Sequence, residues 1–199
     1  MPEHEKTLLS IVRDCSWLMQ ALHAARSLKL DSWCVAAGAV RNIVWDRLHD
    51  KPACVPDDID LIHFDSIDTT RSRDKALETQ LVTLAPDLPW QVTNQAGVHL
   101  WYAERFGREI AALRSLEDGM ANWPETATAV GVWLDAHDGL HVVAPFGLHD
   151  LFALRLRHNA SRTDRDTYLR RVTDKGFLQR WPRLNEVAPH RVPLNGFAE

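Results

Sequence analysis

The chain has 199 residues, a formal net charge of -4, 45% hydrophobic and 25% charged residues, a balance that fits one globular α/β core and indicates neither a disordered chain nor a membrane protein. No apolar run approaches the roughly 20 residues needed to span a bilayer, and no linker or repeat divides the chain. The expectation is a single domain over 1–199, with a core at about 30–145 and a C-terminal helical region at about 148–181. An opening with Glu3, Glu5 and Lys6 does not resemble a secretory leader, so a cytoplasmic protein without a membrane partner is expected. Cysteines 15, 34 and 54 form no C-x-x-C pair and read as free thiols.

From Thr7 to Leu30, the apolar residues Leu8, Ile11, Val12, Cys15, Leu18, Met19, Leu22 and Ala25 recur at helical spacing and predict one amphipathic helix. Trp33 to Ala37 reads as a short buried strand ended by Gly38, and Ala39 to His49 as a second helix with Arg41 and Asn42 in its first turn. A loop around Pro52 and Pro56 leads to a strand holding Ile59, Leu61, Ile62 and Phe64. A helix follows over Thr70 to Leu84, closed by Pro86 and Pro89. Trp90 to Asn94 and His99 to Tyr102 read as extended segments and Leu113 to Trp123 as a short helix. Thr126 to Leu134 with Leu140 to Val143 reads as a hairpin around Asp138-Gly139. The last helical stretches are Leu148 to Arg157 and Asp164 to Arg180. Helices alternating with strands, plus one hairpin, predict an α/β (α+β) fold.

Two features carry chemistry. Asp58 and Asp60 stand at i and i+2 of a strand, so their carboxylates leave one face about 7 Å apart along the backbone. Two such charges repel unless a cation lies between them, and Mg²⁺ or Mn²⁺ is bound by one or two carboxylates plus substrate phosphates. Upstream, Gly38 lies between a strand and a helix, where free N–H groups attract phosphate. Arg41 is placed to pair with a phosphate, and Asn42 to bond a phosphate oxygen or a sugar hydroxyl. Each piece has a bland counterpart: a solvated acidic loop for Asp-x-Asp, a tight turn for the glycine. His99, beside Trp101 and Tyr102, reads as a second phosphate donor next to rings that can stack a base.

At these residues the chain resembles the polymerase-β-like nucleotidyltransferase superfamily, and more closely a bacterial family of nucleotidyltransferase-like proteins of about this length. The runs that carry the resemblance are Ala37-Gly38-Ala39-Val40-Arg41-Asn42, Trp45-Asp46-Arg47-Leu48, Asp58-Ile59-Asp60, Thr93-Asn94-Gln95-Ala96, His99-Leu100-Trp101-Tyr102, Ala127-Thr128-Ala129-Val130-Gly131, and Ala144-Pro145-Phe146-Gly147-Leu148 with Asp150-Leu151-Phe152. The resemblance implies a mixed sheet flanked by helices. It implies Asp58 and Asp60 as catalytic metal ligands, and transfer of a nucleoside monophosphate from an NTP to the hydroxyl of RNA, protein or a small molecule. Nucleotide contacts are expected from Gly38, Arg41, Asn42, Asn94 and His99. Two departures stand out: Ala39 replaces a Gly or Ser, and Asn94 stands where a third carboxylate is expected, with Asp135 as a fallback third acid. They keep open a nucleotide-binding protein with weakened catalysis.

Other chemistries fit less well. Ten histidines form no zinc motif, and no Ser or Cys nucleophile signature occurs. From Arg155 to Arg183, nine Lys/Arg stand against three Asp, which reads as a solvated helix face or as a lining for a polyanion such as RNA. A protein-contact fold with a merely superficial acidic cluster is the remaining alternative.

Overall fold

The computed structural model describes residues 3–190; the ends of the expected 1–199 span lie outside them. The apolar stripe from Thr7 to Leu30 folds into two helices rather than one, α1 (Glu3–Asp14) and α2 (Ser16–Ser27), broken at Cys15 with φ -96° and ψ 98°. A straight helix of that length runs about 36 Å, far longer than the four-residue strands it packs against. The break lets Leu8, Leu9, Ile11 and Val12 of α1 and Leu18, Ala21, Leu22 and Ala25 of α2 bury separately. Periodicity alone concealed it because the stripe continues through Cys15.

Strand β1 (Trp33–Ala36), helix α3 (Gly38–Leu48), β2 (Ile59–His63), α4 (Arg71–Leu84) and β3 (Trp90–Asn94) follow. With β4 (Gly131–Leu134) and β5 (Leu140–Val143) the strands form one sheet in the order β3-β2-β1-β4-β5. Only β2 and β3 pair in parallel, joined through α4 as a crossover connection requires. The mixed sheet flanked by helices is the fold class that the sequence implies. One face carries Trp33, Val35, Ile59, Leu61, Val92 and Val132 into the main core under the first four helices. The opposite face carries Cys34, Ala36 and Ile62 toward a smaller cluster with Leu116, Met120 and Ala129.

Beyond the sheet, two expectations change. His99 to Tyr102 is not extended but lies in α5 (Val98–Phe106), bounded by Gly97 and by Gly107 at φ 71°. Its Val98, Trp101, Tyr102 and Arg105 recur at helical spacing, a signal that the β-prone aromatics masked. Leu148 to Arg157 does not stay helical: α7 is only His149–Phe152, and Leu154 at φ 54° turns the chain into β6 (Arg155–Asn159). That strand alternates buried Leu156 and His158 with half-buried arginines, and it pairs in parallel with β7 (Asn185–His190). The region 148–181 is therefore not all helix. Short α6 (Leu116–Met120), α8 (Arg165–Asp174) and α9 (Phe177–Arg180) complete the fold.

Helix α3 is the pivot. Eight of its residues, Ala39 to Asp46, are buried, because α1, the sheet and the C-terminal segment enclose it. Trp45 is fully buried, packs edge-on against Phe177 and Trp181 at 5.7 and 5.0 Å, and donates from Nε1 to the Leu151 carbonyl. Trp181 in turn donates to Asp46 at 2.8 Å. Truncating Trp45 to Ala is expected to lower stability by about 3–5 kcal/mol, read as a fall in the urea midpoint with an unchanged slope.

Candidate active site

Asp60 lies opposite Ala36 of β1 and Gln91 of β3, so its side chain leaves the sheet on the face away from the helical core. There it lines a cleft of about 560 Å³ with Ala37, Thr93, Thr128, Arg162 and Arg171. Burial, reinforced by the neighbouring Asp58 carboxylate, pushes the Asp60 carboxyl up to about 6. Lys175, Arg171 and Arg41 pull in the other direction without cancelling it. Asp60 is thus a largely buried carboxyl beside a second acid with too little compensating charge, an environment that a cation would relieve. Among the described residues no group of three or more His, Cys, Asp or Glu is placed to hold a metal. The pair suits a hard ion whose shell is completed by substrate phosphates.

The turn above Asp60 differs from the expectation for Gly38. The left-handed residue is Ala37, at φ 55° and ψ -124°, the geometry that a type II′ turn usually gives to glycine. The Ala37 N–H bonds the Val130 carbonyl, and its own carbonyl accepts from Val40 and Arg41. Gly38 has no positive φ, and a Cβ built there would meet nothing closer than 3.8 Å. What remains of the expected role is position: Gly38 begins α3 next to a residue of the cleft wall.

Arg41 and Asn42 are behind that wall. Arg41 is only 4% exposed, its guanidinium 5.0 Å from the Trp45 ring centre and 4.5 Å from that of Phe177. It donates to Asn42 Oδ1 and Thr128 Oγ1, both at 2.8 Å, and desolvation lowers it to about 10. Asn42, 5% exposed, is the acceptor that makes this burial tolerable. The pair braces Thr128, which does line the cleft.

Asn94 and His99 are elsewhere. Because Asn94 pairs with His63 in register, its side chain leaves the sheet on the side opposite Asp60. It is 2% exposed, donates to the Asp65 and Asp68 carbonyls, and accepts from Asp65 N and Ala96 N. The residues of β3 that share Asp60's face are Gln91 and Thr93, and neither supplies a third carboxylate. Asp135, the fallback acid, caps the β4–β5 turn by accepting from His137 N, Gly139 N and His141, which hold it near 2. His99 is absent from the cleft lining, and its Nδ1 is buried without a partner.

The far wall of the cleft is formed by α5. Trp101, Tyr102 and Phe106 follow one another with ring centres 6.4 and 4.5 Å apart. Arg105 lies over Trp101 and Phe106, Arg71 over Trp101, and Arg108 over Tyr102. Interleaved rings and guanidinium groups of this kind suit stacked bases and a phosphate backbone. The sequence flagged Trp101 and Tyr102 but missed Thr128 and Glu125, and it left Arg162 and Arg171 in a row of arginines read mainly as solvated.

A mixed sheet that carries one aspartate on the strand after a strand–turn–helix unit, Asp60 of β2, with Asp58 just before that strand, is the arrangement of a polymerase-β-like nucleotidyltransferase fold. Residues 23–185 match the family described as nucleotidyltransferase, and the chain belongs to that family. Four solved chains match. One, an NMR structure described as revealing a CCA-adding enzyme head domain, aligns with a TM-score of 0.76 at 28% identity, covering 92% of this chain and 95% of that one. Two structures of a tRNA-processing enzyme, apo form 2 and apo form I, align at TM-scores of 0.42 and 0.44 with 15% and 16% identity. They cover 80% and 90% of this chain, which spans 49% of each of theirs. No curated protein matches the chain. Among the described residues no helix is long and apolar enough to cross a membrane.

Two outcomes follow from the geometry. An Asp whose folded pKa lies near 6 contributes stability that is full below its unfolded value of about 3.9 and is lost as pH rises through the folded value. In metal-free buffer, Asp60→Asn is therefore expected to exceed the parent in stability above pH 6 by on the order of 3 kcal/mol, with the gap closing toward pH 4 in melts run at both ends. Asn94→Ala strands buried backbone groups of the 65–68 loop, and a loss of about 1–3 kcal/mol per unsatisfied group is expected, seen as faster amide exchange in that loop.

Proposed function

We propose that the protein transfers a nucleoside monophosphate from an NTP to an acceptor hydroxyl, with Asp58 and Asp60 as the catalytic pair that holds Mg²⁺ or Mn²⁺. The observation that supports this reading is Asp60 in the cleft wall, where burial and the nearby Asp58 carboxylate together raise its pKa. Asp58 and Asp60 would hold the divalent ion, which when bound would supply neutralisation of the phosphate charge and alignment of the reacting oxygens. The residues of the chain do the rest. The first N–H groups of α3, at Gly38 and Ala39, offer donors to phosphate beside the cleft. Arg41 and Asn42 support Thr128 from behind instead of touching the nucleotide.

For the acceptor, RNA is favoured over protein or a small molecule. The aromatic and arginine residues of α5 suit a single strand, and the likeness to a CCA-adding enzyme head domain points the same way. A second reading, a nucleotide-binding protein with little turnover, is supported by Gln91 and Thr93, which leave Asp60 without a third acid on its face.

Incubation with α-labelled NTPs, Mg²⁺ or Mn²⁺ and pooled RNA, protein or small molecules separates the two. Label is expected to appear in the RNA pool and to fall at least 100-fold in Asp58→Ala, in Asp60→Asn and in EDTA. Tight NTP binding with no transfer to any pool would overturn the transferase reading and leave the binding protein.

A further inference from the structure

Glu125 is a carboxylate with no exposed surface, set in the turn between α6 and β4. That turn is fixed to β6 by the Glu125–His158 bridge and by Thr126 N–H donating to the Arg157 carbonyl. Oε1 of Glu125 accepts from Arg171 Nε at 2.8 Å, whereas Oε2 is buried without a hydrogen-bond partner. A buried carboxylate is tolerated only with a counter-charge, and the direct one here is not a core residue. The Arg171 side chain is 31% exposed and lines the cleft that holds Asp60.

The pair has a closed end and an open end. Arg171 uses its inner nitrogen on Glu125, while Nη1 and Nη2, the outer fork, make no hydrogen bond among the described residues. Helix α8 keeps the fork in place: Asp164 caps it by accepting from Thr167 N–H at 2.8 Å, and Asp164, Thr167 and Arg171 share the face that lines the cleft. Arg171 acts on Asp60 electrostatically, yet the two form no ion pair within 4.0 Å among the described residues. Opposed charges with a gap between them are left facing one space.

We propose that Arg171 is the residue that grips the phosphates of the nucleotide opposite Asp60, and that Glu125 is its positioning residue. The proposal rests on the nucleotide reading above. A guanidinium fork matches two phosphate oxygens in a plane, and a buried tether on Nε fixes the direction of the fork before the ligand arrives. The part that the sequence assigned to Arg41 thereby falls to a residue 130 positions later, since Arg41 is enclosed by Trp45 and Phe177.

The test measures binding of ATP, inorganic tripolyphosphate and adenosine, each with Mg²⁺, to the full chain by calorimetry. Arg171→Gln is expected to weaken ATP and tripolyphosphate at least tenfold while adenosine is unchanged. Glu125→Gln is expected to weaken the same two ligands by a smaller factor, with Arg171→Lys between Arg171→Gln and the parent. Arg170→Gln, on the exposed side of α8, should bind as the parent does. Thermal melts identify a variant that has lost its fold, and Arg171→Lys, which keeps the charge beside Glu125, serves if Arg171→Gln does. Parent-like tripolyphosphate affinity in a folded Arg171 variant overturns the proposal and leaves the nucleotide reading standing. A parent protein that binds neither ATP nor tripolyphosphate overturns both.

Discussion

The structure is organised around a guanidinium that has been taken out of water. Arg41 sits in the first turn of α3 with 4% exposure, and a charge in that position must be compensated from several directions at once. Asn42 and Thr128 accept its hydrogen bonds, Trp45 and Phe177 offer ring faces, and Glu125 supplies negative charge from the next layer. These partners come from α3, from the turn before β4 and from α9. Satisfying one cation therefore joins the sheet to the C-terminal segment.

The same compensation gives the cleft its polarity. Asp60 is offered on one side with its carboxyl pushed up to about 6, and arginines and aromatic rings line the same cleft from α5, Arg162 and α8. A net charge of -4 conceals this arrangement, because bulk charge averages over poles that a ligand would meet separately. Glu125 stands behind both cations, as the direct partner of Arg171 and a favourable charge for Arg41. The cleft wall and the core thus draw on one carboxylate.

Local patterns made much of the fold legible. The strand–turn–helix at Trp33 to His49 and the strands at Asp60 and Val92 carried β-branched and apolar residues in short runs that few other elements accommodate. Asp58 falls just before β2, outside the strand that the i and i+2 spacing assumed, whereas the face of Asp60 could be read from strand alternation. Asn94 misled for the same reason in reverse. Its face depends on the β2–β3 register, which places His63 rather than Asp60 beside it, and register is a long-range property. Arg41 had the right neighbourhood in sequence but lies in a run buried without a break from Ala39 to Asp46, whereas an amphipathic pattern implies one wet face. Arg171 and Glu125 could not be joined from sequence, being 46 residues apart. A lone Glu beside Pro124 in an otherwise apolar and threonine-rich stretch was the only local sign.

Ala37 deserves a last consequence. Its φ of 55° is a conformation that side-chain-bearing residues resist, at about 1–3 kcal/mol. The bonds from Ala37 to Val130, Val40 and Arg41 hold it there. Those three bonds fix the turn, so the N–H groups that begin α3 are already oriented without an anion. Association at this wall would then require no loop rearrangement, and its rate should follow encounter and electrostatic attraction rather than a conformational step.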